Sequence, residues 1–191
     1  MALTTYTAGE VLTAASLNDN FTFAAANPVA AASALVRVGG GTLSGSSTAF
    51  SSVFSATYNS YLVLVTGMYG SAATVVKMTL GSASAAYYWS RNLTLTGATT
   101  SLGGTANTSL FDDVGNTGAT LANSTAMQFY LHNPFATQQT NLAWQYWGDG
   151  NYYGVGGGQL RNATSYTAFT LTTTSGTFSG GTVNIYGYAL S

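Results

Sequence analysis

Beyond residue 45 the chain is a series of short segments in which apolar and polar side chains alternate, separated by clusters of Gly, Asn, Ser and Thr. Successive residues of an extended strand point to opposite sides, so each alternating run predicts a strand with one buried face. The runs are Phe50 to Phe54, Tyr61 to Met68, Thr74 to Leu80, Tyr87 to Leu95, Ala126 to His132, Leu142 to Trp147, Tyr152 to Val155, Tyr166 to Leu171 and Thr182 to Tyr188. Alternation is cleanest in Met127-Gln128-Phe129-Tyr130-Leu131-His132, where Met127, Phe129 and Leu131 share the inward face. Asp149-Gly150, between Trp147 and Asn151, has the residues of a two-residue type I′ turn, because both central positions need positive φ. A hairpin is expected there. Strands at this spacing, with no helical period among them, predict an all-β, jelly-roll-like β-sandwich over residues 46–191. Thr96 to Asn123, rich in Gly, Thr and Asn, reads as a long loop holding one short strand around Leu110 to Val114.

The first residues follow another pattern. Val11, Leu17 and Phe21 fall on one helical stripe, Thr13 can cap its start, and the residue before Pro28 disfavours the helical basin. This predicts a short helix over about residues 13–26. A helix of that length is marginal alone in water, so residues 1–35 read as an arm that docks on a partner. Gly39-Gly40-Gly41 marks residues 36–45 as a flexible joint.

Composition then narrows the possibilities. At 191 residues and 19.6 kDa there is material for one core. Charged residues are 5% of the chain, with four Lys+Arg against five Asp+Glu. No positive field is available for a phosphate backbone or an anionic bilayer, which excludes nucleic acid as a partner. Cysteine is absent, which removes disulfides, thiolate metal sites and a thiol nucleophile. The most apolar run, Tyr61 to Val65, is far below the ~20 residues of a membrane-crossing helix. Met1 to Glu10 carries no basic leader region, so neither membrane insertion nor a secretion signal is expected. A compact monomer of this mass exposes roughly 8,500 Å², leaving about one charge per 900 Å². Such a surface either depends on its 20 Ser and 30 Thr hydroxyls for solubility or is covered by further copies of the chain.

Candidate chemistry is sparse. The one histidine, His132, has no Gly-x-Ser-x-Gly elbow to serve and reads as the polar end of a strand beside Asn133-Pro134. Asp112-Asp113, with Asp149 as a third acid, are the residues a glycoside hydrolase or a calcium site would need. EF-hand spacing is missing, and solvated turn carboxylates are the simpler reading, so no catalytic residue, metal or cofactor is assigned. Gly154-Val155-Gly156-Gly157-Gly158 lacks the Gly-Lys-Ser/Thr of a phosphate loop and reads as a hairpin or bulge. Tyr87-Tyr88-Trp89, Trp144, Tyr146-Trp147 and Tyr152-Tyr153 exceed what one small core can bury. Exposed Tyr and Trp stack on sugar rings or fill subunit interfaces at little entropic cost. Trp147, Tyr152 and Tyr153, flanking the hairpin, are the candidate surface contacts.

Tyr6-Thr7-Ala8-Gly9-Glu10-Val11-Leu12-Thr13-Ala14-Ala15-Ser16-Leu17-Asn18 resembles the opening of many tailed-bacteriophage virion proteins, in which such a segment precedes a fibre or surface domain. Ser165 to Leu171, Gly176 to Tyr188 and Phe54 to Tyr61 resemble the same group. The resemblance implies a non-enzymatic virion structural protein, a short trimeric tail fibre or tail-associated protein, assembled in the host cytoplasm. Residues 1–35 would anchor it through Tyr6, Val11, Leu12, Leu17 and Phe21, and its β-sandwich would face the host. Implied partners are two further copies in a homotrimer, other tail or capsid proteins, and a host-surface glycan or protein. The alternatives are a capsid decoration (cement) protein clamping neighbouring subunits and a carbohydrate-processing enzyme resting on Asp112, Asp113 and Asp149.

Overall fold

The alternating runs fold into antiparallel strands in a computed structural model, which describes residues 35–95, 100–148 and 152–189. Among these residues the strands are β1 (Leu35–Thr42), β2 (Ser47–Phe50), β3 (Ser60–Gly70), β4 (Thr74–Leu80), β5 (Tyr87–Leu95), β6 (Ser101–Thr108), β7 (Phe111–Thr117), β8 (Thr125–His132), β9 (Thr140–Gly148), β10 (Tyr152–Leu160), β11 (Phe169–Thr173) and β12 (Phe178–Tyr188). A single 3-10 turn, Leu121–Asn123, precedes β8.

One sheet has the order β1-β12-β3-β8-β9-β10-β5-β6 and the other β2-β11-β4-β7. The described residues thus form an all-β sandwich of two antiparallel sheets. The set β1-β12-β3-β8 against β2-β11-β4-β7 is the strand arrangement of an eight-stranded jelly roll. Two hairpins are added to that frame. The pair β5 and β6 is inserted after β4, the pair β9 and β10 after β8, and β10 joins β5 in register. Both insertions enlarge one sheet only, with β7 of the smaller sheet lying against β9, β10 and β5.

The core is the face that the period of two selects. Tyr61, Val63 and Val65 of β3, Met127, Phe129 and Leu131 of β8, and Val183 and Ile185 of β12 meet Val76, Met78 and Leu80 of β4 and Phe169 and Leu171 of β11. Each such side chain contributes about 1.5–3 kcal/mol when removed from water. Rings knit the two ends: Phe50 stacks on Phe169 with centroids 4.9 Å apart, and Tyr87 meets Phe111 edge-on at 4.7 Å.

Glycine makes room for the largest rings. On β10 the inward positions are Gly154, Gly156 and Gly158, directly opposite Tyr146, Trp144 and Leu142 of β9. A Cβ on Gly156 would stand 2.5 Å from Trp144 Cε2, and one on Gly158 2.7 Å from Phe111 Cε1. The strand pairs with both neighbours without a register shift, so the Gly-rich run is one arm of the β9–β10 hairpin and holds no bulge.

Three other expectations change. Gly39-Gly40-Gly41 is not a joint: it lies in β1, paired with Ile185, Asn184 and Val183, because only a residue without a side chain lets β1 approach Val53 and the Val183 carbonyl so closely. Thr96 to Asn123 is not mostly loop, since β6 and β7 occupy much of it; β6 is an exposed, polar edge and shows no apolar period. The run Phe50 to Phe54 leaves the sheet after Phe50, and the Val53 and Phe54 N–H groups donate instead to the Thr167 carbonyl at 2.9 and 3.2 Å. The expected helix, all but Leu35 of the arm expected over residues 1–35, with Tyr6, Val11, Leu12, Leu17 and Phe21, and the Asp149-Gly150 turn lie outside the described residues. The strands flanking that turn do form a hairpin, whose last described pair is Gly148 with Tyr152.

Candidate functional site

Because one side of the eight-stranded sheet is spent on the core, the alternate residues form a broad outer face. Cross-strand register places Tyr186, Leu62, Tyr130, Ala143, Gly157 and Ser90 in one row across it. Leu62 is only 9% exposed although it points outward, between its partners Tyr130 and Tyr186.

The three candidate contact residues divide between the two sides. Trp147 and Tyr153 are direct partners on β9 and β10, their rings tilted against each other with centroids 4.9 Å apart; Trp147 is 53% exposed. A hollow of about 160 Å³ adjoins Trp147, bounded by Leu64, Thr66, Ala126 and Gln128. Tyr152 corrects the expectation. One residue out of phase with Tyr153, it turns inward and packs against the core. For the same reason Tyr87, Trp144 and Tyr146 are interior residues, each no more than 2% exposed.

Further along the same face, over the added hairpins, lies a cleft of about 640 Å³. Ser90 and the bare backbone of Gly104 and Gly157 leave it open, and Tyr88, Asn141, Gln159 and Arg161 line it with larger side chains. Across Ser90 and Gly157 it adjoins a second hollow of about 390 Å³, bounded by Asn92, Leu102 and Val155. Arg161 Nε donates to Gln159 Oε1 at 3.1 Å, and Gln159 Nε2 donates to Asn141 Oδ1 at 2.9 Å. The Arg161 guanidinium sits 4.1 Å over the centre of the Tyr88 ring. The sequence reading missed Asn141, Gln159 and Arg161. The available signal was polar alternation on β9 and β10, but nothing in the sequence says that these strands are neighbours of β5.

The two described carboxylates do not converge. Asp112 and Asp113 lie on β7, where Asp113 adopts a left-handed φ of 58° beside a register shift, and the two side chains diverge. Asp112 pairs with Lys77 at 3.4 Å near the surface. Asp113 is buried between the sheets, paired with Arg91 and accepting a hydrogen bond from the Tyr146 hydroxyl at 3.3 Å. Burial holds Asp113 above the ordinary carboxylate range, with Arg91 opposing that shift. Burial, reinforced by the Asp113 carboxylate, raises Tyr146 as well. Tyr87 is pushed up to about 12 by burial, while its hydroxyl accepts the Leu80 N–H at 2.8 Å. His132 sits at the exposed end of β8 with Nδ1 2.8 Å from the Ser60 hydroxyl. Among the described residues no group of three His, Cys, Asp or Glu is placed to hold a metal ion.

Comparison of the chain with protein-family models, curated proteins and solved structures finds no match.

Proposed function

We propose that the chain is a non-enzymatic structural protein of a tailed-bacteriophage virion: a short trimeric tail fibre or tail-associated protein, held by its N-terminal segment and turning its sandwich to the host surface. One observation carries the reading. The outer face of the eight-stranded sheet is wide and built from phenol, indole, amide and hydroxyl groups, with Arg37 and Arg161 its only charges among the described residues, and Arg37 Nε is already bonded to Asn184. A surface of this kind holds a partner through area and adaptable hydrogen bonds. Both described carboxylates are engaged by cations, which favours a binding role over glycoside hydrolysis, where two carboxyls must face one sugar. The phage-like sequence segments support the virion setting, and association as a trimer would cover part of the charge-poor surface.

The test is made on purified particles that carry the protein. A few trimers per particle are expected by quantitative mass spectrometry, and Trp147→Ala is expected to reduce adsorption while leaving the particle intact. Hundreds of copies, with capsids that soften to heat when the protein is removed, would replace the fibre reading with that of a capsid cement. Absence of the protein from particles would overturn both.

A further inference from the structure

Resting on the attachment reading above, we propose that the cleft over β9, β10, β5 and β6 is a saccharide site that takes a neutral, polyhydroxylated ring. Its two adjoining parts, about 640 and 390 Å³, fall within the ~300–1,000 Å³ typical of small-molecule sites.

The wall chemistry selects the ligand. Arg161, Gln159 and Asn141 form a hydrogen-bonded row, so each head group is already oriented and little rotamer freedom is lost on binding. In that row Asn141 uses only its carbonyl oxygen, and Gln159 uses one of its two amide hydrogens. What remains is a set of side-by-side donors and acceptors, the complement of adjacent hydroxyls on a sugar. Tyr88, braced by Arg161, supplies an apolar wall for the ring's C–H groups. No carboxylate lines either part; Arg161, the cation of the larger one, already shares its charge between a ring and an amide, and Arg91 beside the smaller one is paired with Asp113, which disfavours ionic ligands. Within the cleft β9, β10 and β5 are each paired on both sides, so no peptide strand can add between them.

Gly157 is the second indication. Its neighbours Gly156 and Gly158 are required by the rings beneath them, whereas a Cβ on Gly157 would meet only the Leu142 carbonyl, at 3.4 Å. Glycine inside a strand costs roughly 0.5–1 kcal/mol relative to alanine. Packing does not account for that cost at position 157; an unobstructed cleft does.

Gly157→Val fills the cleft without touching the core. The full chain and this variant are applied to an array of neutral hexose and N-acetylhexosamine oligosaccharides with sialylated members as charged controls. Retention on neutral members is expected, weakened at least tenfold by Gly157→Val and by Gln159→Ala, with Gly157→Val melting no lower than the parent. The proposal is overturned if no neutral member is bound, if sialylated members are preferred, or if Gly157→Val binds equally. Particles that adsorb in a Trp147-dependent way while the array stays blank would sink the cleft and leave the attachment reading standing. Sugar binding by a protein absent from particles would do the reverse.

Discussion

Gly156→Ala is the sharpest test of how the larger sheet holds together. The added methyl would stand 2.5 Å from Trp144 Cε2 and 2.7 Å from the Ser90 carbonyl oxygen, well inside contact distance on both sides. Neither neighbour can give way easily. Ser90 O belongs to the backbone of β5, which is paired with β10, and Trp144 is 2% exposed with Phe111 packed near it at 6.5 Å. Forcing one methyl into such a site costs about 1–3 kcal/mol. For a domain of this size that lowers the melting temperature by roughly 2–12 °C. Gly157→Ala, one residue along the same strand and in the same register, provides the control. Its methyl enters the outer cleft and relieves the entropic cost of glycine, so that variant should match or exceed the parent by up to ~1 kcal/mol. Thermal and urea unfolding of the three proteins decide the matter. Equal stability of Gly156→Ala and Gly157→Ala would refute the view that alternate glycines of β10 exist to seat the aromatic rings of β9.

Two further perturbations probe the polar groups between the sheets. Arg91→Met leaves the Asp113 carboxylate without its cation and should cost about 3–5 kcal/mol near neutral pH, most of it recovered by adding Asp113→Asn; urea titrations of the single and double variants would measure this. Because burial raises Asp113 above its unfolded value of 3.8, the native state binds more protons in that window and stability falls as pH climbs through it. Asp113→Asn should flatten that slope, and the Arg91→Met penalty should shrink in acid, where the carboxyl is protonated; a penalty independent of pH would contradict the pairing. Tyr87→Phe removes the acceptor of the buried Leu80 N–H and should destabilise by ~1–3 kcal/mol, with faster amide exchange at Leu80 as the local signature.

Much of the frame was legible in the linear chain. Burial is a local demand repeated every second residue, so Tyr61-Val63-Val65 and Met127-Phe129-Leu131 announced both their strands and their inward faces. The same rule, applied strictly, separates Tyr152 from Trp147 and Tyr153. Where the demand is absent the signal fails. The edge strand β6 buries almost nothing, and its order comes from hydrogen bonds to β5 that no apolar period encodes. Glycine misleads for a related reason: as a breaker of local structure it suggested a joint at Gly39 to Gly41 and left a bulge open at Gly154 to Gly158, whereas in both places it permits close approach by a neighbouring strand or ring.

The sequence by itself determined the all-β class, the composition of the core and the scarcity of charge, because each depends on residue type and spacing along one strand. Only the tertiary structure decided that Arg91 meets Asp113 across the sandwich, that Asp112 turns away from it, and that Tyr88, Asn141, Gln159 and Arg161 border one cleft. Those meetings depend on which strands become neighbours. Strand order is set by the packing of the whole sheet, over separations that no local pattern spans.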